Sequence, residues 1–126
     1  MIFRIGLCQI RGSFDKKESM ETARTAVMEA AENGAQVISL PEMWNCPYSN
    51  DYFREYAEPE DGETVRFLSE LASETGVYLI GGSIPELDAD RVYNTSFSFD
   101  RKGNIIGRHR KVHLFDIDVK GGIRFM

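Results

Sequence analysis

The sequence predicts a layered α/β fold, and three observations carry that expectation. Residues 2–10 alternate with apolar side chains in both phases, Phe3, Ile5 and Leu7 against Ile2, Gly6, Cys8 and Ile10, as in a strand covered on both faces. A helical stripe follows, and then the short apolar run Val37, Ile38, Ser39, Leu40. Strand, helix and strand in that order form a βαβ unit, parallel and right-handed.

The first strand is broken by Gly12, Ser13 and Phe14. Asp15 followed by Glu18 has the form of a capping box. Met20, Ala23, Val27, Ala30 and Ala31 then share one helical stripe, and Asn33-Gly34 gives the stop. Residues 41–62 keep no steady period and hold Pro41, Trp44, Pro47 and Pro59, so they read as a long functional loop. A second helix spans residues 63–75, with Val65, Leu68, Leu71 and Ala72 inward and Gly76 ending it. A strand over residues 77–82 ends on Gly81-Gly82. Another over residues 92–99 alternates at Tyr93, Thr95, Phe97 and Phe99. The turn at residues 100–104 leads into Ile105-Ile106 as an antiparallel hairpin. The chain ends on Ile123, Arg124, Phe125 and Met126 without a polar tail, which reads as an end in mid-fold.

Composition narrows the function classes. The 126 residues are 42% hydrophobic and 28% charged, as in ordinary globular domains. Fifteen Lys and Arg against 20 Asp and Glu leave a net charge of −5, which disfavours a nucleic-acid or acidic-membrane partner. The opening residues are too short and too interrupted, by Arg4 and Gln9, for a signal peptide, and no window reaches the length of a membrane span. Cys8 and Cys46 are too few for a disulfide scaffold or a cysteine zinc site. A cytoplasmic, reducing compartment is the expectation.

Two segments carry candidate chemistry. In LPEMWNCPY, residues 40–48, Glu42 follows a buried strand and a proline, at the strand end where ligand groups gather in α/β sheets. It can equally begin a helical turn and complement its dipole. In RHRKVHLF, residues 108–115, Arg108, His109, Arg110, Lys111 and His113 form the densest basic cluster. That cluster reads as a phosphate patch, as a charged strand edge, or as a lysine aimed at developing negative charge. His109 and His113 stand four apart without a carboxylate motif, so no metal is expected. Gly81-Gly82 and Gly121-Gly122 lack the rest of a phosphate-loop pattern, and no cofactor is expected. Cys8 reads as a small hydrophobe inside its strand. Cys46, in the aromatic loop, is the more accessible thiol by expectation, but it has no adjacent base or cation to lower its pKa.

The combination resembles the N-terminal part of the nitrilase superfamily, the carbon–nitrogen hydrolases. The matching pieces stand in family order: IGLCQI, ENGAQVISLPEMW, YLIGGSIPE, VYNTSFSFDRKGNIIGRHRKVHLFD and GGIRF. LPEMWNCPYS and HLFDIDVKGG look most like the omega-amidase branch, which hydrolyses the terminal amide of small 2-oxo-dicarboxylic acid monoamides. The resemblance implies a four-layer α-β-β-α sandwich and a Glu–Lys–Cys triad, with Glu42 as general base and Lys111 as the triad lysine. The family nucleophile lies in a later motif that neither Cys8 nor Cys46 occupies. Residues 1–126 are therefore expected to be the N-terminal portion of such a domain, truncated before the nucleophile motif. The expected function is amide hydrolysis through a cysteine thioester, with a small amide as substrate. The alternative is an inactive fragment that only self-associates or binds a partner. A homo-oligomer, or association with the rest of the fold, is expected because one sheet face lacks a cover. Weak nucleic-acid binding through residues 108–113 is a third reading, opposed by the net charge.

Overall fold

In the computed structural model, which describes residues 2–111, a βαβ unit opens the chain. Strand β1 (Ile5–Leu7) leads to helix α1 (Lys16–Glu32) and strand β2 (Val37–Ser39). The short helix α2 (Asn50–Tyr56) and helix α3 (Glu63–Thr75) come next. Four strands complete the order: β3 (Tyr78–Ile80), β4 (Ile84–Asp88), β5 (Arg91–Phe99) and β6 (Ile105–Arg110). Residues 112–126, with His113 and the HLFDIDVKGG and GGIRF segments, lie outside the described residues.

β1, β2 and β3 pair in parallel, and β3 pairs antiparallel with β5. β4 and β6 also pair antiparallel with β5. β3 meets β5 at Phe99 and Ser98, while β4 meets it from Thr95 to Arg91. The two therefore lie end to end along one edge of β5, and β6 takes the other edge. The break between β3 and β4 falls at Gly81-Gly82. Gly82 has φ of +64°, and a Cβ there would stand 2.1 Å from the Pro41 carbonyl oxygen, so only glycine fits the approach of this break to the loop after β2.

Register assigns the two sheet faces. The row Gly6, Ile38, Leu79, Phe99 faces the helices. There Ile38, Leu79 and Phe99 pack with Ala23 and Val27 of α1 and with Leu68, Leu71 and Ala72 of α3 in one core. The neighbouring rows, Ile5–Val37–Tyr78 and Leu7–Ser39–Ile80–Ser98, face the other way. On that face Leu7 is 78% exposed and Ile5 65%. The uncovered sheet face expected from the sequence is thus present among the described residues, and the first strand, apolar in both phases, is covered on one face. Helices α1 and α3, which pack on β1, β2, β3 and β5, lie on one side of the sheet, and the regular strand is three residues long.

Two further differences have local causes. Asp15 caps α1 by accepting from the Lys17 amide at 2.9 Å. Glu18 does not close the box, because the Asp15 amide already donates to Ser13 Oγ at 3.2 Å. The loop over residues 41–62 contains α2, whose N-cap Ser49 accepts from the Asp51 amide. Seven residues without a fully buried position leave no stripe to read. Among the described residues no helix is long and apolar enough to cross a membrane.

Candidate active site

The loop after β2 turns inside out within two residues. Glu42 stays exposed, while Met43, Trp44, Asn45 and Cys46 are all buried. Met43 adopts the left-handed conformation, φ +49°, which bulky residues rarely occupy. Three contacts hold that bend. The Met43 amide donates to Ser83 Oγ at 3.0 Å, and Trp44 Nε1–H donates to the Gly81 carbonyl at 2.8 Å. Asn45 Nδ2 donates to Thr64 Oγ1 at 3.2 Å. The β3–β4 break and the start of α3 thereby fix the loop that carries Glu42.

Lys111 arrives from the other end of the chain. It follows β6, whose pairing with β5 ends where the Lys111 amide donates to the Asn94 carbonyl at 2.9 Å. Its Nζ donates to Glu42 Oε1 at 3.0 Å. The two candidate residues therefore meet directly. They do not extend from neighbouring strands: β3 and β5 separate β2 from β6, and the loop after β2 bridges that gap.

Two more of the described side chains reach the carboxylate, and the sequence pattern singles out neither. Asn94 Nδ2 donates to Glu42 Oε1 at 2.6 Å, and the Tyr48 hydroxyl donates to Oε2 at 3.1 Å. Burial pushes the Glu42 carboxyl up, but the hydrogen bonds from Lys111, Asn94 and Tyr48 and the Lys111 charge outweigh it and hold it below its ordinary value. Glu42 is thus ionised at neutral pH and able to accept a proton. Asn94 was legible in principle. It stands out of phase with the apolar alternation of β5, in register with Lys111 across the hairpin.

The basic cluster divides. Glu86, 2% exposed, accepts from Arg110 at 2.9 and 3.1 Å and from Thr95 Oγ1 at 2.7 Å. Arg108 pairs with Glu86 at 3.0 Å and with Glu60. Arg110 also reaches Asp88 at 2.9 Å and lies 3.9 Å over the Tyr93 ring. The two arginines are neutralised by acids of β4 and of the loop between α2 and α3, which leaves Lys111 as the cation of the cluster that meets Glu42.

The whole chain can now be placed among known proteins. The model of the family described as "Carbon-nitrogen hydrolase" matches residues 4–126. The chain belongs to the carbon–nitrogen hydrolase family. It is 48% identical over 126 residues to "Nitrilase homolog 2" of Dictyostelium discoideum, covering 98% of the chain and 38% of that protein. It is 50% identical over 123 residues to "Omega-amidase NIT2" of Mus musculus, covering 98% of the chain and 45% of that protein. The chain thus spans less than half the length of these relatives. Among solved structures, Saccharomyces cerevisiae Nit3, a member of branch 10 of the nitrilase superfamily, superposes with a TM-score of 0.83 at 39% identity, over 89% of this chain and 45% of that one. The sheet and its helix layer are those of the α-β-β-α fold of this carbon–nitrogen hydrolase family.

The thiols reverse the accessibility expected from sequence. Cys46 is fully buried, with its Sγ 3.8 Å from the Met43 carbonyl, and burial pushes its pKa up to about 12. A Cβ on Gly12 would stand 2.0 Å from the Cys46 carbonyl oxygen, so the first strand's exit closes over this part of the loop. Cys8 is half-buried against the helix-side core, and its thiol is raised by burial and then by Glu29. Neither thiol is among the hydrogen-bond partners of Glu42 or Lys111. On treatment of the native carbon–nitrogen hydrolase chain with a thiol reagent, Cys8 is expected to react first and Cys46 only on unfolding. Faster native labelling of Cys46 would contradict the burial of the loop.

Proposed function

We propose that the chain supplies the general base and the lysine of an omega-amidase-like amide hydrolase. The Lys111–Glu42 contact at 3.0 Å carries this reading. The substrate is a small molecule with a terminal amide, such as the monoamide of a 2-oxo-dicarboxylic acid, and the resemblance of the LPEMWNCPYS loop to the omega-amidase branch supports that choice. The environments of Cys8 and Cys46 argue that the nucleophile is a third cysteine, outside residues 1–126, which form the N-terminal portion of the domain.

The chemistry follows from the groups present. Glu42 takes the proton of the nucleophilic thiol, and the thiolate adds to the amide carbon. Lys111, held beside Glu42, meets the negative charge that develops on the carbonyl oxygen. Glu42 then passes its proton to the amide nitrogen, the C–N bond breaks, and ammonia leaves a thioester. Water, deprotonated by the same carboxylate, hydrolyses the thioester to the acid and restores the thiol. The two free thiols fit a reducing, cytoplasmic compartment.

The chain alone is expected to release no ammonia from a small omega-amide, because removal of a nucleophile takes away most of an enzyme's rate. Turnover that persisted in Cys46→Ser would contradict the mechanism, and turnover lost in that variant would make Cys46 the nucleophile. The exposed apolar sheet face favours a second reading, an inactive portion that acts by association alone. It is separated from the first by whether a cysteine-bearing partner restores turnover.

A further inference from the structure

We propose that Asn94 is a positioning residue for Glu42, one that commits Oε1 to permanent acceptance and leaves Oε2 as the oxygen that carries the catalytic proton. This deepens the amidase reading and rests on Glu42 as its base.

The inference comes from the donor and acceptor capacities of the three partners. Oε1 receives two groups, the Lys111 ammonium at 3.0 Å and the Asn94 amide NH2 at 2.6 Å. An ammonium and an amide NH2 can only donate. A proton on Oε1 would face two donors and displace at least one of them. Oε2 receives the Tyr48 hydroxyl at 3.1 Å, and a hydroxyl can donate or accept by rotation about its C–O bond. When Glu42 is charged, Tyr48 donates to Oε2. When Glu42 is neutral, Oε2–H can donate to Tyr48 while Oε1 keeps both donors. The carboxyl therefore gains and loses its proton at one oxygen without rotating.

Asn94 is built into this arrangement at both ends. Its backbone carbonyl accepts from the Lys111 amide at 2.9 Å, so the same residue sets the lysine's main chain and the glutamate's oxygen. Its side-chain Oδ1 is buried and has no hydrogen-bond partner among the described residues. A buried unpaired acceptor costs roughly 1–3 kcal/mol. The amide is turned so that Nδ2 serves Glu42 even though Oδ1 gains no partner among the described residues.

The test is a carboxyl-carbon NMR titration of Glu42 in the 126-residue chain, with Asn94→Ala, the near-isosteric Asn94→Asp and Ser96→Ala as control. Loss of the Asn94 donor is expected to move the Glu42 midpoint upward in Asn94→Ala. A carboxylate in its place is expected to move it further in Asn94→Asp, and the Ser96→Ala midpoint is expected to stay at the parent value. The infrared carbonyl band of neutral Glu42, isolated by subtracting the Glu42→Gln spectrum, is expected to rise in frequency in Asn94→Ala, because Oε1 is then the carbonyl oxygen that lost a donor. An unchanged midpoint or an unchanged band in an Asn94 variant whose β5–β6 cross-strand contacts persist would overturn the proposal. If Asn94→Ala does not fold, the same two readouts on Asn94→Asp decide the matter. These results concern Glu42 alone, so their failure would leave the amidase reading to stand or fall on ammonia release.

Discussion

At low micromolar concentration the chain is expected to sediment as an associated species rather than as a monodisperse monomer. The reason is the open face of the sheet. Ile5, Leu7, Tyr78 and Ile80 lie on it in register, and all four are exposed, from 41% at Tyr78 and Ile80 to 78% at Leu7. Soluble monomers rarely expose a contiguous apolar patch of more than a few hundred Å². At roughly 25 cal/mol per Å², such a face forgoes on the order of 10 kcal/mol while it stays wet. That is comparable to the whole stability of a domain. Helices α1 and α3 already cover the opposite face, so the cover must come from a second copy or from a second sheet of the family fold. Leu7→Lys, at 78% exposure, tests the face without touching the core. It is expected to dissociate the assembly and to lower the concentration dependence of the melt. A compact monomer with a cooperative, concentration-independent melt would show that the described layers close the fold by themselves.

Trp44→Ala is expected to cost about 3–5 kcal/mol of stability at matched concentration, the range for emptying a buried large aromatic site. Trp44 is 1% exposed and packs at a tilt on Phe67 of α3, with ring centroids 6.3 Å apart. Its indole N–H donates to the Gly81 carbonyl, so the truncation also removes the donor of a buried acceptor. The consequence reaches the site. Trp44 lies two residues beyond Glu42 and anchors the left-handed bend at Met43 that keeps the carboxylate outside while the loop goes in. Trp44→Phe keeps most of the ring volume and gives up the hydrogen bond, and it is expected to cost about 1–2 kcal/mol. Denaturant unfolding followed by circular dichroism reads both, since the variants remove the chain's one tryptophan. A loss under about 1 kcal/mol for Trp44→Ala would mean that the loop is not held through this residue.

What was legible in the sequence follows from the range of the interactions involved. Helix α3 runs over the residues its stripe and Gly76 predicted, because amphipathic period and a glycine stop are local signals. The β5–β6 hairpin was also local, set by the turn at Asp100, whose carboxylate accepts from the Lys102 and Asn104 amides. Glu42 and Lys111 were legible through their motifs, although 69 positions separate them in the chain. Strand β4 was not. It contains Pro85 and acids, and what makes it a strand is its pairing with β5 and the contact of Glu58 with its outer edge. The burial of Cys46 was missed for a similar reason. An irregular segment rich in prolines and aromatics reads as exposed, whereas this one is tied down by Ser83, Gly81 and Thr64, residues distant in sequence. Tyr48 was missed because a single polar residue in a loop has no pattern of its own, and Asn94 because its place out of the apolar phase of β5 is shared by Ser96 and Ser98. Their role appears only once Glu42 is seen between them.

The central claim is that Glu42 and Lys111 are the base and the lysine of an amide-hydrolysing site. It is tested most directly by ammonia release from a small omega-amide when the chain is supplied with a cysteine-bearing second segment of the family fold. The parent chain is expected to regain turnover on complementation. Glu42→Gln and Lys111→Met are each expected to lose about 10³-fold or more, since base, oxyanion stabiliser and nucleophile act as one unit. A complemented Glu42→Gln chain that turned over amide at the parent rate would contradict the account.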